Sequence, residues 1–301
     1  MKRSLFLVIL SALVVGVSAC HDKGKAQTVT RDTVVVSHGL RFCESTYPYQ
    51  GGVLIANFGT EQLNPLNSEG KGYIAQYKDG KTSVLIPADG NLSAPKGMYI
   101  RDHSLFVCDV NKIVVYDLNN LKMAPQTIHF PKDDLFVNDL VAVGNTLYAS
   151  VTNSGRIYQI DITNLSALNE ASPVKWIDIA GPNGLLLEGG VMYVASYPAD
   201  GNTTSANVIY QIANLSNPVP EVFVNVPGQY DGIALSADKK TMYVTNWSPA
   251  GISKIDMQTR QFTPYPVALK SQLVGPADIT VGGDTMYIPD LPNSRVIVLP
   301  L

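Results

Sequence analysis

LFVCD at residues 105–109 and MYVAS at residues 192–196 are two copies of a short motif that recurs along this chain of 301 residues. The other copies are VLIAN (53–57), LYAS (147–150), MYVTN (242–246) and MYIPD (286–290). Successive copies begin 52, 42, 45, 50 and 44 residues apart, and β-branched and tyrosine side chains are frequent in them. A period of about 40 to 50 residues with several short strands per unit is typical of β-propellers, in which each unit forms one blade.

The sequence around each motif completes a four-stranded blade. The motif is the second predicted strand of its unit. A third predicted strand follows it, such as KIVVYDL (112–118), and in most units a fourth strand follows, such as EVFVNV (221–226). The last unit ends after its third stretch, at RVIVLPL (295–301), whereas TVVVS (33–37) precedes the first complete unit. The sequence therefore predicts an all-β, six-bladed β-propeller over residues 32–301, with an N-terminal strand that closes the last blade and protects its edge.

The N-terminus resembles an export signal. A basic start leads into an almost wholly apolar run at residues 4–19, which ends in Val-Ser-Ala-Cys at residues 17–20. This is the pattern of a secretory signal peptide, and a cysteine at the cleavage point resembles a bacterial lipobox. We therefore predict a lipoprotein signal peptide at 1–19 and a lipidated Cys20 at the head of a polar tether, residues 20–31. An ordinary cleaved signal is the alternative.

These features predict an exported protein that is lipid-anchored to a bacterial membrane, with the periplasmic face of the outer membrane favoured over the cell surface. The formal net charge is −3 with both signs scattered, so we expect no nucleic-acid partner. We expect a monomer that binds a small-molecule substrate. Besides Cys20 the chain has only Cys43 and Cys108, and their spacing leaves a disulfide between them open.

The repeat also predicts a polar ring. The residues nine positions before each motif, or eleven in the fifth unit with its longer turn, are Glu44, Lys96, Asn138, Asn183, Asp231 and Ala277. Five of these six are polar or charged, and the alternate positions that follow them are mostly apolar. Because the innermost strand of each blade lines the central channel, we predict that the ring lies at one mouth of that channel. Hairpin pairing would place a second polar shell opposite it, at Asn57, Asp109, Ser196, Asn246 and Asp290.

Each member of the ring also has an ordinary interpretation. Lys96 can form a plain ion pair with Asp109, and Asn138, Asn183 and Asp231 can belong to turns. Their convergence at one position of the repeat favours a metal site, because carboxylate and amide oxygens are the ligands that hard divalent cations prefer. The four histidines lie off the ring, which argues against a zinc–imidazole site and a Ser-His-Asp triad.

The order of these residues resembles the family of senescence marker protein (regucalcin), gluconolactonases and luciferin-regenerating enzyme. Its members are six-bladed propellers with one divalent metal near the channel mouth, and the chain matches their pattern at Glu44, Asn138-Asp139, Pro182-Asn183-Gly184 and Asp231-Gly232. The resemblance implies that Glu44, Asn183 and Asp231 hold the metal and that Asp231 also acts as acid/base. It implies that Asn138 faces the substrate or a metal-bound water.

Two departures bear on the substrate. Glu44 is followed by Ser45-Thr46 instead of Gly-Pro, and Phe136 stands where the family has its substrate-binding Arg. We therefore expect a metal-dependent hydrolase of a sugar lactone or related ester, with Asn138 and Lys96 as substrate-binding residues and altered specificity. Calcium is the first expectation for the metal, with magnesium, manganese or zinc as alternatives. The competing hypothesis is a non-catalytic binding or scaffold propeller of the NHL kind, since fold does not fix function.

Overall fold

Six four-stranded antiparallel sheets make up the part of the chain that the computed structural model describes, residues 32–301. They are the blades of a six-bladed β-propeller, which confirms the fold prediction. The predicted signal peptide, the lipidation site at Cys20 and the tether lie outside the described residues. Within residues 32–301, no helix has the length and apolar character needed to cross a membrane.

The strands follow the chain from blade to blade. The first strand of the described residues is β1 (Val34–Val36), which belongs to the last blade. The first two blades contain β2 (Cys43–Tyr49), β3 (Gly52–Asn57), β4 (Tyr73–Lys78), β5 (Lys81–Ile86), β6 (Met98–Arg101), β7 (Ser104–Asp109), β8 (Lys112–Asp117) and β9 (Gln126–His129). The third and fourth contain β10 (Val137–Val143), β11 (Thr146–Val151), β12 (Arg156–Asp161), β13 (Val174–Asp178), β14 (Pro182–Glu188), β15 (Val191–Ser196), β16 (Ile209–Ile212) and β17 (Glu221–Val224). The fifth and sixth contain β18 (Tyr230–Leu235), β19 (Thr241–Asn246), β20 (Gly251–Asp256), β21 (Phe262–Pro264), β22 (Thr280–Gly282), β23 (Thr285–Asp290) and β24 (Arg295–Pro300). Within residues 32–301, two 3-10 helices lie at Leu168–Glu170 and Leu291–Asn293.

Strand β1 closes the ring. It pairs antiparallel with the C-terminal strand β24, with Val34 opposite Val298 and Val36 opposite Val296. The sixth blade thus takes three strands from the end of the chain and one from its beginning, as predicted. This pairing covers an edge of β24 that would otherwise expose unpaired backbone groups.

The hydrophobic core is divided among the spaces between neighbouring blades. The motif strands are buried on both faces, so Leu54 and Ala56 pack toward the second blade while Val53 and Ile55 pack toward the sixth. This explains why the motifs read as continuous apolar runs. Cys43 and Cys108 are buried free thiols in two different inter-blade spaces, so they do not form a disulfide with each other.

Candidate metal and ligand site

β-Bulges lie at the start of four inner strands, at the positions that the repeat singles out. The pairing register shifts between Cys43 and Ser45, Val137 and Leu140, Pro182 and Leu185, and Tyr230 and Ile233. A bulge gives one strand more residues than its partner and re-aims the additional side chain. Glu44, Asn138, Asn183 and Asp231 lie inside these four shifts, so regular pairing does not direct their side chains into the inter-blade cores.

The predicted cross-strand partners are wrong by one residue because of this irregularity. In the first, fourth, fifth and sixth blades, the last residue of the second strand faces the residue before the predicted ring position. The pairs are Cys43 with Asn57, Pro182 with Ser196, Tyr230 with Asn246 and Pro276 with Asp290. In the second blade, Lys96 donates its backbone N–H to Cys108 O at 2.9 Å, again one residue before the predicted partner Asp109.

The predicted second polar shell has a structural role. Its side chains bond the backbone of the segments that lead into the inner strands. Asn57 Oδ1 accepts the N–H of Arg41 at 3.0 Å, and Asp109 Oδ1 accepts that of Ala94 at 2.6 Å. The other bonds of this kind are Ser196 Oγ to Ala180 O, Gln229 N to Asn246 Oδ1, and Val274 N and Gly275 N to Asp290 Oδ1. These polar atoms are used within the fold.

Four side chains of the predicted ring line one cavity of about 110 Å³. They are Glu44, Lys96, Asn183 and Asp231, which come from the first, second, fourth and fifth blades. Asn138 is buried at the equivalent address in the third blade but is not part of the cavity lining. The rest of the wall is mostly apolar and is formed by Phe58, Leu63, Pro65, Phe136, Tyr197, Trp247 and Leu291.

Buried polar atoms without hydrogen-bond partners are concentrated in this ring. They are Glu44 Oε2, Asn138 Oδ1 and Nδ2, Asn183 Oδ1 and Asp231 Oδ1, and they make up five of the nine such atoms in residues 32–301. Buried polar groups almost always have a partner, and an unsatisfied one points to strain, function, or a bound water or ion. Four of the five are oxygen acceptors, which a cation would satisfy.

Burial and repulsion from neighbouring carboxylates raise the pKa values of Glu44 and Asp231. Burial raises the pKa of Glu44 well above its usual value, and the charge of Asp231 adds to this effect while Lys96 opposes it. Burial also raises the pKa of Asp231 to about 7, with a further contribution from Asp139. A divalent cation between these groups would reverse the trend, because an adjacent positive charge favours the ionised carboxylate.

Lys96 does not form the ion pair with Asp109 that its position suggested. Asp109 Oδ2 lies 3.7 Å from Nζ of Lys112. Within residues 32–301, no carboxylate lies within 4.0 Å of the Lys96 ammonium. Lys96 Nζ instead donates to Ala94 O at 2.8 Å and to Pro65 O at 3.1 Å. Its pKa is lowered by burial, an effect that the charges of Glu44 and Asp109 partly oppose.

The wall residues of the cavity were not predicted, although the repeat contains a signal for them. Four of these seven wall residues come directly after the second strand of a blade, five positions beyond the start of the motif. The six residues at this offset are Phe58, Val110, Thr152, Tyr197, Trp247 and Leu291. Four of the six line the cavity. The offset that located the polar ring thus has a counterpart that locates its aromatic wall.

Two further buried carboxylates, Asp139 and Asp278, were also missed. Each follows a ring position directly, and both line a separate cavity of about 530 Å³ toward the other ends of the inner strands. Asp139 accepts the backbone N–H groups of Leu140 and Leu185, and Asp278 accepts the hydroxyl of Ser45. The equivalent positions in the other four blades hold Ser45, Gly97, Gly184 and Gly232, and a Cβ atom at any of the three glycines would collide with the next blade. This position is therefore either small or acidic in every blade, a pattern that could have revealed the two carboxylates.

The donor set suits a hard divalent cation better than zinc. Within residues 32–301, no three His, Cys, Asp or Glu side chains are grouped as metal ligands. Glu44, Asn183 and Asp231 offer two carboxylates and one amide, and each has a buried oxygen without a partner. Oxygen ligands of this kind fit calcium, magnesium or manganese.

Comparisons with known proteins bear on the fold. No protein-family model matches the chain, and no curated protein sequence matches it. Among solved structures, a gluconolactonase from Xanthomonas campestris is 14% identical with a TM-score of 0.60, over 87% of this chain and 86% of that one. A catalytically inactive virginiamycin B lyase from Staphylococcus aureus, solved with quinupristin, is 14% identical with a TM-score of 0.57, over 90% and 100% of the two chains. A chain of a nidogen/laminin complex is 13% identical with a TM-score of 0.59, over 90% of each. The lactonase and the lyase are six-bladed propellers, so the chain shares their architecture.

Proposed function

We propose that this protein is a divalent-cation-dependent hydrolase of a sugar lactone or related ester. In this proposal Glu44, Asn183 and Asp231 hold the cation, with calcium as the first candidate. The observation that carries the proposal is the set of buried, unpartnered oxygen atoms that three different blades present to one cavity. Their concentration at one place supports a bound cation as the group that satisfies them.

The side chains of the site fit hydrolysis. A bound cation supplies Lewis acidity, polarising a carbonyl and lowering the pKa of a bound water. Asp231 would accept a proton from the attacking water, because the cation keeps this buried carboxylate ionised and therefore able to act as a general base. Asn138 has two unpartnered amide atoms at the same ring position but does not line the cavity, so in this proposal it bonds a water of the site rather than the substrate itself. The aromatic side chains of the cavity wall, Phe58, Phe136, Tyr197 and Trp247, would exclude water from the site.

Metal titration followed by a lactone panel tests the proposal. Purified protein is freed of metal with a chelator and titrated calorimetrically with calcium, magnesium, manganese and zinc. Hydrolysis of a panel of sugar lactones is then followed with and without chelator, in the wild type and in Glu44→Gln. We expect one cation per chain and chelator-sensitive hydrolysis that is lost in the variant. Absence of metal binding in the wild type would contradict the proposal.

A non-catalytic binding propeller is the second candidate. The observation in its favour is Phe136, an aromatic residue on the cavity wall where the resembling family carries a substrate-binding Arg. The nidogen/laminin neighbour also shows this architecture within a protein complex. Metal binding without hydrolysis of any lactone or ester in the panel would favour this candidate.

The lipid anchor remains part of the proposal for where the protein works. The Val-Ser-Ala-Cys sequence at residues 17–20 predicts lipidation of Cys20. In a bacterial host, Cys20→Ser should abolish incorporation of labelled fatty acid and move the protein from the membrane fraction to the soluble fraction. A wild-type protein that is already soluble and unacylated would contradict this prediction.

A further inference from the structure

The Lys96 ammonium is a buried cation with an unused donor. The residue is fully buried, and its Nζ lies 4.9 Å from the ring centre of Phe136 and 5.5 Å from that of Phe58. An ammonium has three N–H donors, and two of them are used by the carbonyls of Ala94 and Pro65. The third has no protein acceptor in the described residues, and the side chain lines the cavity.

The position of this ammonium is fixed by the backbone. In the other five blades, the carbonyl two residues before the ring position accepts the N–H of the residue that follows the second strand, as in Phe58 N to Phe42 O and Trp247 N to Gln229 O. In the second blade the equivalent carbonyl is Ala94 O, which accepts the Lys96 ammonium. A lysine with a purely structural role would have its remaining donor bonded as well, because an unpaired buried charge is costly.

Charge balance indicates what the remaining donor binds. If the proposed function is correct, Glu44 and Asp231 neutralise the divalent cation. Among the charged side chains that line the cavity, Lys96 then adds one net positive charge, while Asp109 and Asp139 lie outside the lining. We propose that Lys96 binds a carboxylate of the substrate, so that the site takes a small lactone or ester that carries a carboxylate group. The faces of Phe58, Phe136 and Trp247 would contact the apolar body of such a ligand, and the volume of about 110 Å³ limits its size.

A pair of probes that differ only in charge tests this inference. The probes are 5-oxotetrahydrofuran-2-carboxylate, which is a lactone with a carboxylate, and its neutral carboxamide. Their dissociation constants are measured by calorimetry with the wild type, Lys96→Met and Lys112→Met, in saturating calcium and again without metal. Lys112 serves as the matched control because it lies in the same blade, pairs with Asp109 and does not line the cavity.

We expect the wild type and Lys112→Met to bind the carboxylate about 10- to 100-fold more tightly than the amide, as charge-assisted hydrogen bonds would give. Lys96→Met should lose this preference and keep its affinity for the amide. A wild type that binds both probes equally, or neither, overturns the inference, and this result needs no variant to fold. The calcium isotherm is read separately, so a failed metal site is distinguished from a failed anchor. A carboxylate preference that Lys96→Met retains also overturns the inference.

Discussion

Two sets of polar residues recur from blade to blade in this propeller, and we call them columns. The first column is the predicted ring at the start of the inner strands, and the second is the polar shell at the ends of the second strands. Only the first column has the character of a site. The bulge residues Glu44, Asn183 and Asp231 are buried and present oxygen atoms that nothing in the described chain satisfies. The residues at the ends of the second strands, among them Asp109 and Asp290, are equally buried but bond the backbone of the adjoining segments. Both columns recur from blade to blade, so recurrence alone does not separate binding from architecture.

The satisfaction of hydrogen bonds is what separates the two columns. A buried carboxylate that accepts backbone N–H groups stabilises the fold, and its removal leaves those donors unsatisfied. A buried carboxylate without partners destabilises the fold and persists only if another requirement keeps it, such as a ligand. Substitutions in the two columns should therefore have opposite consequences for stability and for binding.

The largest effect is expected from Asp290→Ala, in the satisfied column. Asp290 accepts the N–H groups of Val274 and Gly275, and its Oδ2 lies 2.7 Å from Nη2 of the mostly buried Arg295. Its removal should lower the free energy of unfolding by about 3–5 kcal/mol, because a mostly buried guanidinium loses its carboxylate partner. Urea unfolding measures this loss, and calcium affinity of the folded protein should stay unchanged. As a control, Asp178→Ala removes an exposed partner of Lys175 and should cost less than about 1 kcal/mol.

Asp231→Ala should have the opposite profile. We expect calcium affinity to fall about 100-fold or more, because the variant loses one of two proposed carboxylate ligands. The free energy of unfolding in the absence of metal should not fall, since the variant also removes a buried and unpartnered charge. Calorimetric titration and urea unfolding measure the two quantities. If Asp231→Ala were as destabilising as Asp290→Ala and kept full calcium affinity, the distinction between the columns would be wrong.

The sequence predicted those features that depend on spacing along the chain. The repeat located all six blades, the closing strand at Val34–Val36 and four side chains that share the cavity. It failed on the cross-strand partners, because a bulge changes the pairing by one residue without changing the spacing. It also failed on the surroundings of Lys96, since Pro65 and Phe136 come from loops of other blades and their approach depends on tertiary structure.

The pH dependence of stability gives a third, smaller effect. The pKa of Asp231 is raised to about 7 in the folded protein, from an ordinary value of 3.8. The folded state therefore binds the proton more tightly than the unfolded state, so this contribution to stability is present below pH 4 and is lost as the pH rises through 7.

Metal-free protein should accordingly melt at a lower temperature at pH 8 than at pH 5, with about 2.6 kcal/mol of the difference in the free energy of unfolding from this group. Asp231→Asn should reduce the difference, and calcium should restore the melting temperature of the wild type at pH 8. Asp256→Asn is the control, because this carboxyl is outside the site and its pKa is lowered by hydrogen bonds with Thr259. We expect Asp256→Asn to show the same pH dependence as the wild type. A metal-free wild type whose melting temperature rises from pH 5 to pH 8 would contradict the raised pKa of Asp231.

The smallest effect is expected from Lys96→Met on calcium affinity. Lys96 lines the same cavity as the proposed ligands but cannot itself bind a cation, since an ammonium has donors and no acceptor. Its positive charge repels a divalent ion across the cavity, so its removal should leave the site intact and tighten calcium binding by less than about tenfold. Lys112→Met, in the same blade and outside the cavity, should leave the affinity unchanged. Calcium titration of these two variants beside Asp231→Ala measures the three effects on one scale. A loss of affinity in Lys96→Met as large as that in Asp231→Ala would mean that the ammonium holds Glu44 and Asp231 in place, and Lys96 would then belong with the structural column rather than with the binding residues.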